Sequence, residues 1–139
     1  MPPIPYDRLY NLETPDLSPL KKPIVHEACQ EELRALLPSD GDLAVLEAQM
    51  KKRIRFWYEH PQEARKKHDW FEFVGDISEG GTVYPCFSLR FNHIRQLGNL
   101  RILYLMDGPT MILMHAFREN RNGAYRHAKD VVLGRLRKG

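Results

Sequence analysis

Two polar side chains interrupt strongly apolar stretches in the C-terminal half of the sequence. Arg101 lies within the apolar run 100–106, and His115 lies within the run 111–117. A guanidinium stays charged and binds anions, whereas an imidazole, with a reference pKa near ~6.5, can carry protons near neutral pH. The two residues are therefore candidates for anion binding and proton transfer. The alternative for His115 is a hydrogen-bonded core residue with no catalytic role.

The residue patterns of metal and nucleotide enzymes are missing from the sequence. His26 and Cys29 lie one helical turn apart, and Cys86 and His93 are separated by six residues, so neither pair belongs to a four-ligand zinc set. Residues 80–82 lack the Gly-Lys-Ser/Thr of a phosphate-binding loop, and no nucleophile elbow is present. We therefore expect no metal and no cofactor.

Charge is distributed unevenly along the chain. Residues 84–139 carry ten Lys and Arg against three acids, a net charge of +7, whereas residues 1–83 carry eleven against fifteen, a net charge of −4. A basic half of this kind favours a polyanionic partner. The alternative is an ordinary solvated basic face, and composition does not separate nucleic acid from an acidic protein.

Length and composition place the chain among globular proteins of one domain. It has 139 residues, 42% hydrophobic and 28% charged, with two cysteines. No run of 18 apolar residues suits a membrane span, and the first ten residues, with three prolines, do not resemble a secretory signal. We expect a cytoplasmic protein that does not contact a membrane.

The first half of the chain is predicted to be helical behind a proline-rich arm. Prolines are concentrated in residues 1–38, which we interpret as an irregular arm over 1–23 plus a short helix over 24–37. Ser39 begins a capping-box-like start, and apolar residues then recur at helical spacing: Leu43, Leu46, Met50, Ile54 and Trp57. A short basic helix is predicted over 62–68.

The second half changes to the period of a β-sheet. Strands are predicted over about 70–74, 84–91, 99–106 and 111–117, with a turn-rich loop over 75–82, and a helix over 124–136 ends the chain. This order predicts an α+β fold: N-terminal helices, a small antiparallel meander of three to four strands, and a C-terminal helix. The helices would pack on one face, leaving the other at least partly free.

The register of the last hairpin decides whether Arg101 and His115 share a face. If a three-residue loop pairs Asp107 with Met111, then Leu103 lies opposite His115, and Arg101 shares its side of the sheet. If a two-residue loop pairs Asp107 with Thr110, the two side chains point to opposite faces. The sequence leaves both registers open.

Three short motifs resemble those of a known superfamily. They are Cys-Phe-Ser-Leu-Arg at 86–90, Asn-Leu-Arg-Ile-Leu-Tyr at 99–104 and Ile-Leu-Met-His-Ala-Phe-Arg at 112–118. In order and spacing they resemble the core strands of the RelE/ParE toxins, most closely the phage-derived HigB-like branch. The resemblance covers about residues 42–137 and assigns 39–139 to a toxin domain behind the arm and helix of 1–38.

The resemblance implies a toxin of a type II toxin–antitoxin system, an endonuclease that cleaves mRNA on the ribosome. Its partners would be that mRNA and a cognate antitoxin, a small helix-turn-helix protein. Such enzymes cleave RNA without metal through attack of the ribose 2′-hydroxyl on the adjacent phosphorus. Arg90 and Arg101 would then bind the phosphate, and His115 would move a proton. Alternatively, the two arginines cover sheet edges or pair with the acidic half.

Other residues are candidates for RNA contact. Arg118 and Arg121 follow the last strand and could steer the backbone, Tyr125 could stack on a base, and Lys66 and Lys67 could contact the ribosome. The alternative for the charged residues is a solvated surface.

Two other functions fit the same fold. ParE-like relatives inhibit DNA gyrase by protein contact and need no catalytic residues. A non-catalytic binding protein of a phage or mobile element is the second alternative. It is favoured by Ser88, which stands where the family has an acid, and by the short turn 118–123.

Overall fold

The computed structural model describes residues 4–5 and 23–138. Its elements are β1 (Ile4–Pro5), β2 (Ile24–Val25), α1 (Glu27–Leu36), α2 (Asp40–Glu59), α3 (Pro61–Ala64), β3 (Phe71–Glu79), β4 (Thr82–Arg90), β5 (Leu100–Asp107), β6 (Thr110–Arg118) and α4 (Ala124–Lys138). The predicted α+β class, with a C-terminal helix, is confirmed. The arm predicted over 1–23 falls almost entirely outside the described residues.

The sheet is larger than predicted and mixed. Its strand order is β1-β2-β6-β5-β4-β3. Strands β3 to β6 form an antiparallel meander, but β2 runs parallel to β6 and β1 pairs with β2. The predicted antiparallel meander is therefore present as β3 to β6, but it is part of a larger mixed sheet that the prediction did not include. Two-residue strands such as Ile24–Val25 are too short to produce an alternating pattern in the sequence.

Helix α2 begins where the sequence predicts, whereas α1 begins three residues later than predicted, because Ile24 and Val25 form β2. Ser39 caps α2, with its Oγ accepting a hydrogen bond from Asp42 N at 3.4 Å. The predicted apolar stripe of α2 faces the core, since Leu46, Met50, Ile54 and Trp57 are all buried. His26 caps α1 through its Nδ1, which accepts from Ala28 N.

Helices cover both faces of the sheet. Helices α1 and α2 pack on one face, in a core that includes Leu33, Met50, Trp57 and Tyr104. Helix α4 packs on the other face, where Ala128 and Val132 join a second cluster: Ile77, Cys86, Leu103, Leu105 and Met114. The centre of the face that was expected to be partly free is thus occupied by α4. Among the described residues, no helix is long and apolar enough to cross a membrane.

The loop predicted over 75–82 is wrong for its first five residues. Strand β3 continues to Glu79, and only Gly80 and Gly81 form the turn to β4. The pairing with β4 shifts between Phe73 and Gly75, so Gly75, with φ of 110°, belongs to a bulge and not to a loop. A bulge bends a strand without ending it. In the sequence, a glycine in a bulge cannot be told apart from a glycine in a turn.

Candidate functional site

A bulge in β6 places Arg101 and His115 on the same face of the sheet. The hairpin has the two-residue loop, with Asp107 opposite Thr110. The register then shifts, because Tyr104 pairs with Leu113 whereas Leu103 pairs with His115. The extra residue in β6 is Met114, and it reverses the alternation beyond it. His115 therefore lies on the α4 side together with Leu103, as does Arg101 two residues away.

His115 is held by a carboxylate from α1. Its Nδ1 lies 2.9 Å from Oε2 of Glu32, and its ring stacks on Phe117 with the centroids 5.2 Å apart. Only 7% of His115 is exposed. This arrangement fixes the orientation of the imidazole ring, as carboxylates do for histidines that transfer protons.

Glu32 also pairs with Arg135 of α4. The guanidinium donates to both carboxylate oxygens, at 2.9 Å from Nη1 to Oε1 and 2.8 Å from Nη2 to Oε2. Burial opposes ionisation of Glu32, but the hydrogen bonds from His115 and Arg135 outweigh it and lower its pKa to about 2. Glu32 is therefore a carboxylate across the physiological pH range.

The ion pair of Glu32 and Arg135 takes the place of a neighbouring strand along part of β6. Strand β2 ends at Val25, so beyond Leu113 no strand among the described residues pairs with β6 on the side away from β5. Oε1 of Glu32 accepts from Ala116 N at 3.1 Å, and Nη1 of Arg135 donates to Met114 O at 2.6 Å. The two side chains thus occupy the place of a peptide group in the missing strand, which satisfies buried backbone groups.

His115 lines a cleft at the end of β6. The cleft has a volume of about 220 Å³, and its lining combines two histidines, two arginines and no carboxylate: His115, Phe117, Arg118, Asn120, Arg121, Ala124 and His127. Arg118 is anchored, since its Nη1 donates to Leu97 O at 2.8 Å and to Asn99 Oδ1 at 3.1 Å. Arg121 and His127 are exposed. Of the eight predicted site residues, the cleft brings together His115, Arg118 and Arg121.

Arg90 and Arg101 are directly opposite each other on β4 and β5, and each has a carboxylate partner. Arg101 is buried, with Nε 2.8 Å from Oε1 of Glu119 and further bonds to the carbonyls of Gly98 and Leu100. Nη1 of Arg90 lies 3.4 Å from Oε2 of Glu72. Neither lines the cleft with His115.

The remaining predicted residues do not line the cleft. The Tyr125 hydroxyl is 2.9 Å from Ser88 Oγ, and burial raises the pKa of Tyr125. Ser88, noted in the sequence as a departure from the family motif, thus pairs with a residue of α4. Lys66 and Lys67 lie just after α3, on the side of the sheet where α2 packs.

Sequence reasoning missed Glu32, Arg135 and His127. Glu32 lies 83 residues from His115 in the sequence, and only the fold brings them together. The sequence offered one signal for Glu32: it is an acidic residue directly beside Leu33, a position of the helix that is buried. Within residues 4–5 and 23–138, no group of three or more metal-ligating side chains is placed to hold a metal ion.

Comparison with known proteins adds nothing to this description: protein-family models, curated proteins and solved structures give no match to the chain.

Proposed function

We propose that the chain is a metal-independent endoribonuclease whose active site is the cleft at the end of β6. The observation that carries the proposal is that His115 and His127 line one cleft with Arg118 and Arg121. RNA cleavage by an internal nucleophile needs a proton acceptor, a proton donor and cations near the phosphate, and these are the residue types present.

In the proposed reaction, the ribose 2′-oxygen attacks the adjacent phosphorus, and the bond to the 5′-oxygen breaks. His115 takes the 2′ proton through Nε2, because Nδ1 is engaged by Glu32. His127 donates a proton to the leaving 5′-oxygen. The products are a 2′,3′-cyclic phosphate and a 5′-hydroxyl, and no metal or cofactor takes part.

Arg121 and Arg118 would stabilise the negative charge that develops on the phosphate oxygens. A guanidinium presents a rigid fork of donors that matches two phosphate oxygens. We assign this role to the cleft arginines rather than to Arg90 and Arg101, because the latter are already paired with Glu72 and Glu119. The proposal thereby departs from the assignment that the resemblance implies.

The biological setting of the proposal comes from the resemblance to RelE and HigB toxins. It makes the substrate mRNA on the ribosome and the regulator a cognate antitoxin. The net charge of +7 over residues 84–139 is in keeping with a polyanionic substrate. We propose that the protein acts in the cytoplasm, where that substrate is found.

Induction of the chain in a bacterial host without antitoxin tests this function. We expect growth arrest with transcripts cut inside coding sequence, and His115→Gln and His127→Gln should each reduce cutting by about 10²-fold or more. His68→Gln, which changes an exposed histidine outside the cleft, is the matched control and should cut like the wild type. Equal cutting by all three variants would contradict the proposal.

A second candidate is a non-catalytic binding protein or gyrase inhibitor on the same fold. The pairing of Arg90 and Arg101 with carboxylates favours it, since each guanidinium already has a negatively charged partner. In the same experiment, arrest with intact mRNA and blocked replication indicates the gyrase inhibitor. The absence of arrest, with folded protein present, indicates the binding protein.

A further inference from the structure

A second concentration of positive charge lies on the face opposite α4. Helix α2 turns its apolar stripe to the core, which leaves Lys51 and Lys52 exposed on its outer side. The chain after α3 adds Lys66 and Lys67, and Trp70 is the last residue before β3. We call these four lysines and Trp70 the α2–α3 basic surface.

Trp70 holds two of these lysines close together. Nζ of Lys67 lies 4.5 Å from the centroid of the indole ring, and Nζ of Lys52 lies 5.5 Å from it. The guanidinium of the buried Arg53 lies 4.4 Å from the same ring. Cation–π attraction holds flexible lysines in place and leaves their charge available to a ligand.

The lysines of this surface are not paired with the acidic residues near them, such as Glu59 and Asp69. None of the four lysines forms an ion pair with any residue that the structure describes. The nearby Glu59 pairs instead with Arg55 of its own helix. An adjoining groove of about 420 Å³ is lined by Lys51, Lys52, Arg55, His60, Phe56 and Glu59, with Ala48 at one end. The groove thus combines cations with aromatic rings.

We infer that the α2–α3 basic surface binds the sugar-phosphate backbone of RNA at a site separate from the cleft. Lysine ammonium groups act as point charges toward phosphates and need no fixed geometry, which suits binding without sequence preference. The aromatic rings beside them, the half-buried Phe56 and the exposed His60, suit single-stranded nucleic acid. The inference does not rest on the proposed nuclease activity, because the two sites lie on opposite faces of the sheet.

Binding of a fluorescently labelled single-stranded RNA of about 12 nucleotides, with 2′-O-methyl riboses, tests this inference. Such RNA has no free 2′-hydroxyl, so cleavage in the cleft cannot influence the result. We expect Lys52→Glu/Lys67→Glu to weaken binding at least about tenfold at low salt. The slope of log K against log salt should become shallower by about 1.4, since each phosphate contact on a single strand contributes about 0.7.

Arg34→Glu/Arg95→Glu is the matched control, because it makes the same charge change at two exposed residues on other elements. This control variant should retain more of the wild-type affinity and salt slope than Lys52→Glu/Lys67→Glu does. Circular dichroism and thermal unfolding verify that both variants fold. Equal losses in the two variants would overturn the inference, since net charge alone would then explain binding. So would an equally strong interaction with polyglutamate, which would make an acidic protein the partner.

Discussion

At the scale of single residues, the role of His115 is determined by what surrounds it. In the sequence, it is a polar residue within an apolar run; in the structure, Glu32 fixes its ring, Phe117 stacks on it and the cleft lies beside it. The same contacts satisfy the side chain as a core residue. In the proposed reaction His127 is the second proton carrier, and because it is exposed, its substitution distinguishes catalysis from packing.

Tyr104 is a buried residue whose hydroxyl has no hydrogen-bond partner among the described residues. The side chain is fully buried between Trp57 and Phe87. We expect Tyr104→Phe to stabilise the fold by about 1 kcal/mol, because the ring contacts remain and an unsatisfied polar group is removed. The free energy of unfolding in urea measures the change.

Tyr125→Phe is the control for that substitution. It removes a hydroxyl that is hydrogen-bonded to Ser88, so it should destabilise the fold by about 1 kcal/mol. The interpretation of Tyr104 is contradicted if Tyr104→Phe destabilises the protein as much as Tyr125→Phe does.

At the scale of elements, Glu32 and Arg135 join α1 and α4 to the edge of β6. The pKa of Glu32, about 2 in the folded chain, is lower than its ordinary value of 4.5. The unfolded chain therefore binds more protons between these values, and the contribution of Glu32 to stability is present above about pH 4.5 and lost as the pH falls toward 2.

Glu32→Gln tests this contribution. We expect it to lower the free energy of unfolding by about 2 kcal/mol at neutral pH, with the difference from the wild type shrinking as the pH falls below 4.5. Urea unfolding at several pH values measures it. Glu31→Gln, at the exposed neighbouring position, should have little effect at any pH. A loss in Glu32→Gln that does not depend on pH would contradict the account.

The bulge in β3 requires a glycine. Gly75 has φ of 110°, and a Cβ at this position would lie 2.7 Å from Nζ of Lys129 on α4. We expect Gly75→Ala to destabilise the protein by about 1–3 kcal/mol through backbone strain. The melting temperature measures the effect.

Gly134→Ala is the matched substitution for Gly75→Ala. Gly134 lies inside α4, and a Cβ there would meet no atom within 4 Å. Alanine should therefore stabilise that helix by about 0.5–1 kcal/mol. Similar shifts for the two variants would show that the backbone at Gly75 is not strained.

Regular elements could be predicted from the sequence, whereas irregular ones could not. The stripe of α2 and the cap at Ser39 depend on residues close together in the chain, so their pattern is readable. The bulges at Gly75 and Met114 and the two-residue strand β2 depend on which segments become neighbours. The two-residue hairpin loop was one of two alternatives left open, and it was expected to place Arg101 and His115 on opposite faces. The single extra residue at Met114 reverses that outcome.

At the scale of the whole molecule, the candidate site exists because both halves of the chain meet at one strand. Glu32 comes from α1, His115 and Arg118 from β6, and His127 and Arg135 from α4. The sequence could nominate His115, Arg118 and Arg121 by type, but it could not assemble them with residues from both ends. Two basic sites on opposite faces would allow the proposed enzyme to hold RNA away from the cleft.

Analysis of the RNA ends produced by the purified protein tests the central claim most directly. Translating ribosomes are incubated with the wild type and with His127→Gln, and the chemistry of the cut mRNA ends is identified. The account predicts 2′,3′-cyclic phosphate and 5′-hydroxyl ends from the wild type, with cutting at least about 10²-fold slower in His127→Gln. Intact mRNA with the wild type, or cut ends that carry a 5′-phosphate and a 3′-hydroxyl, would contradict it.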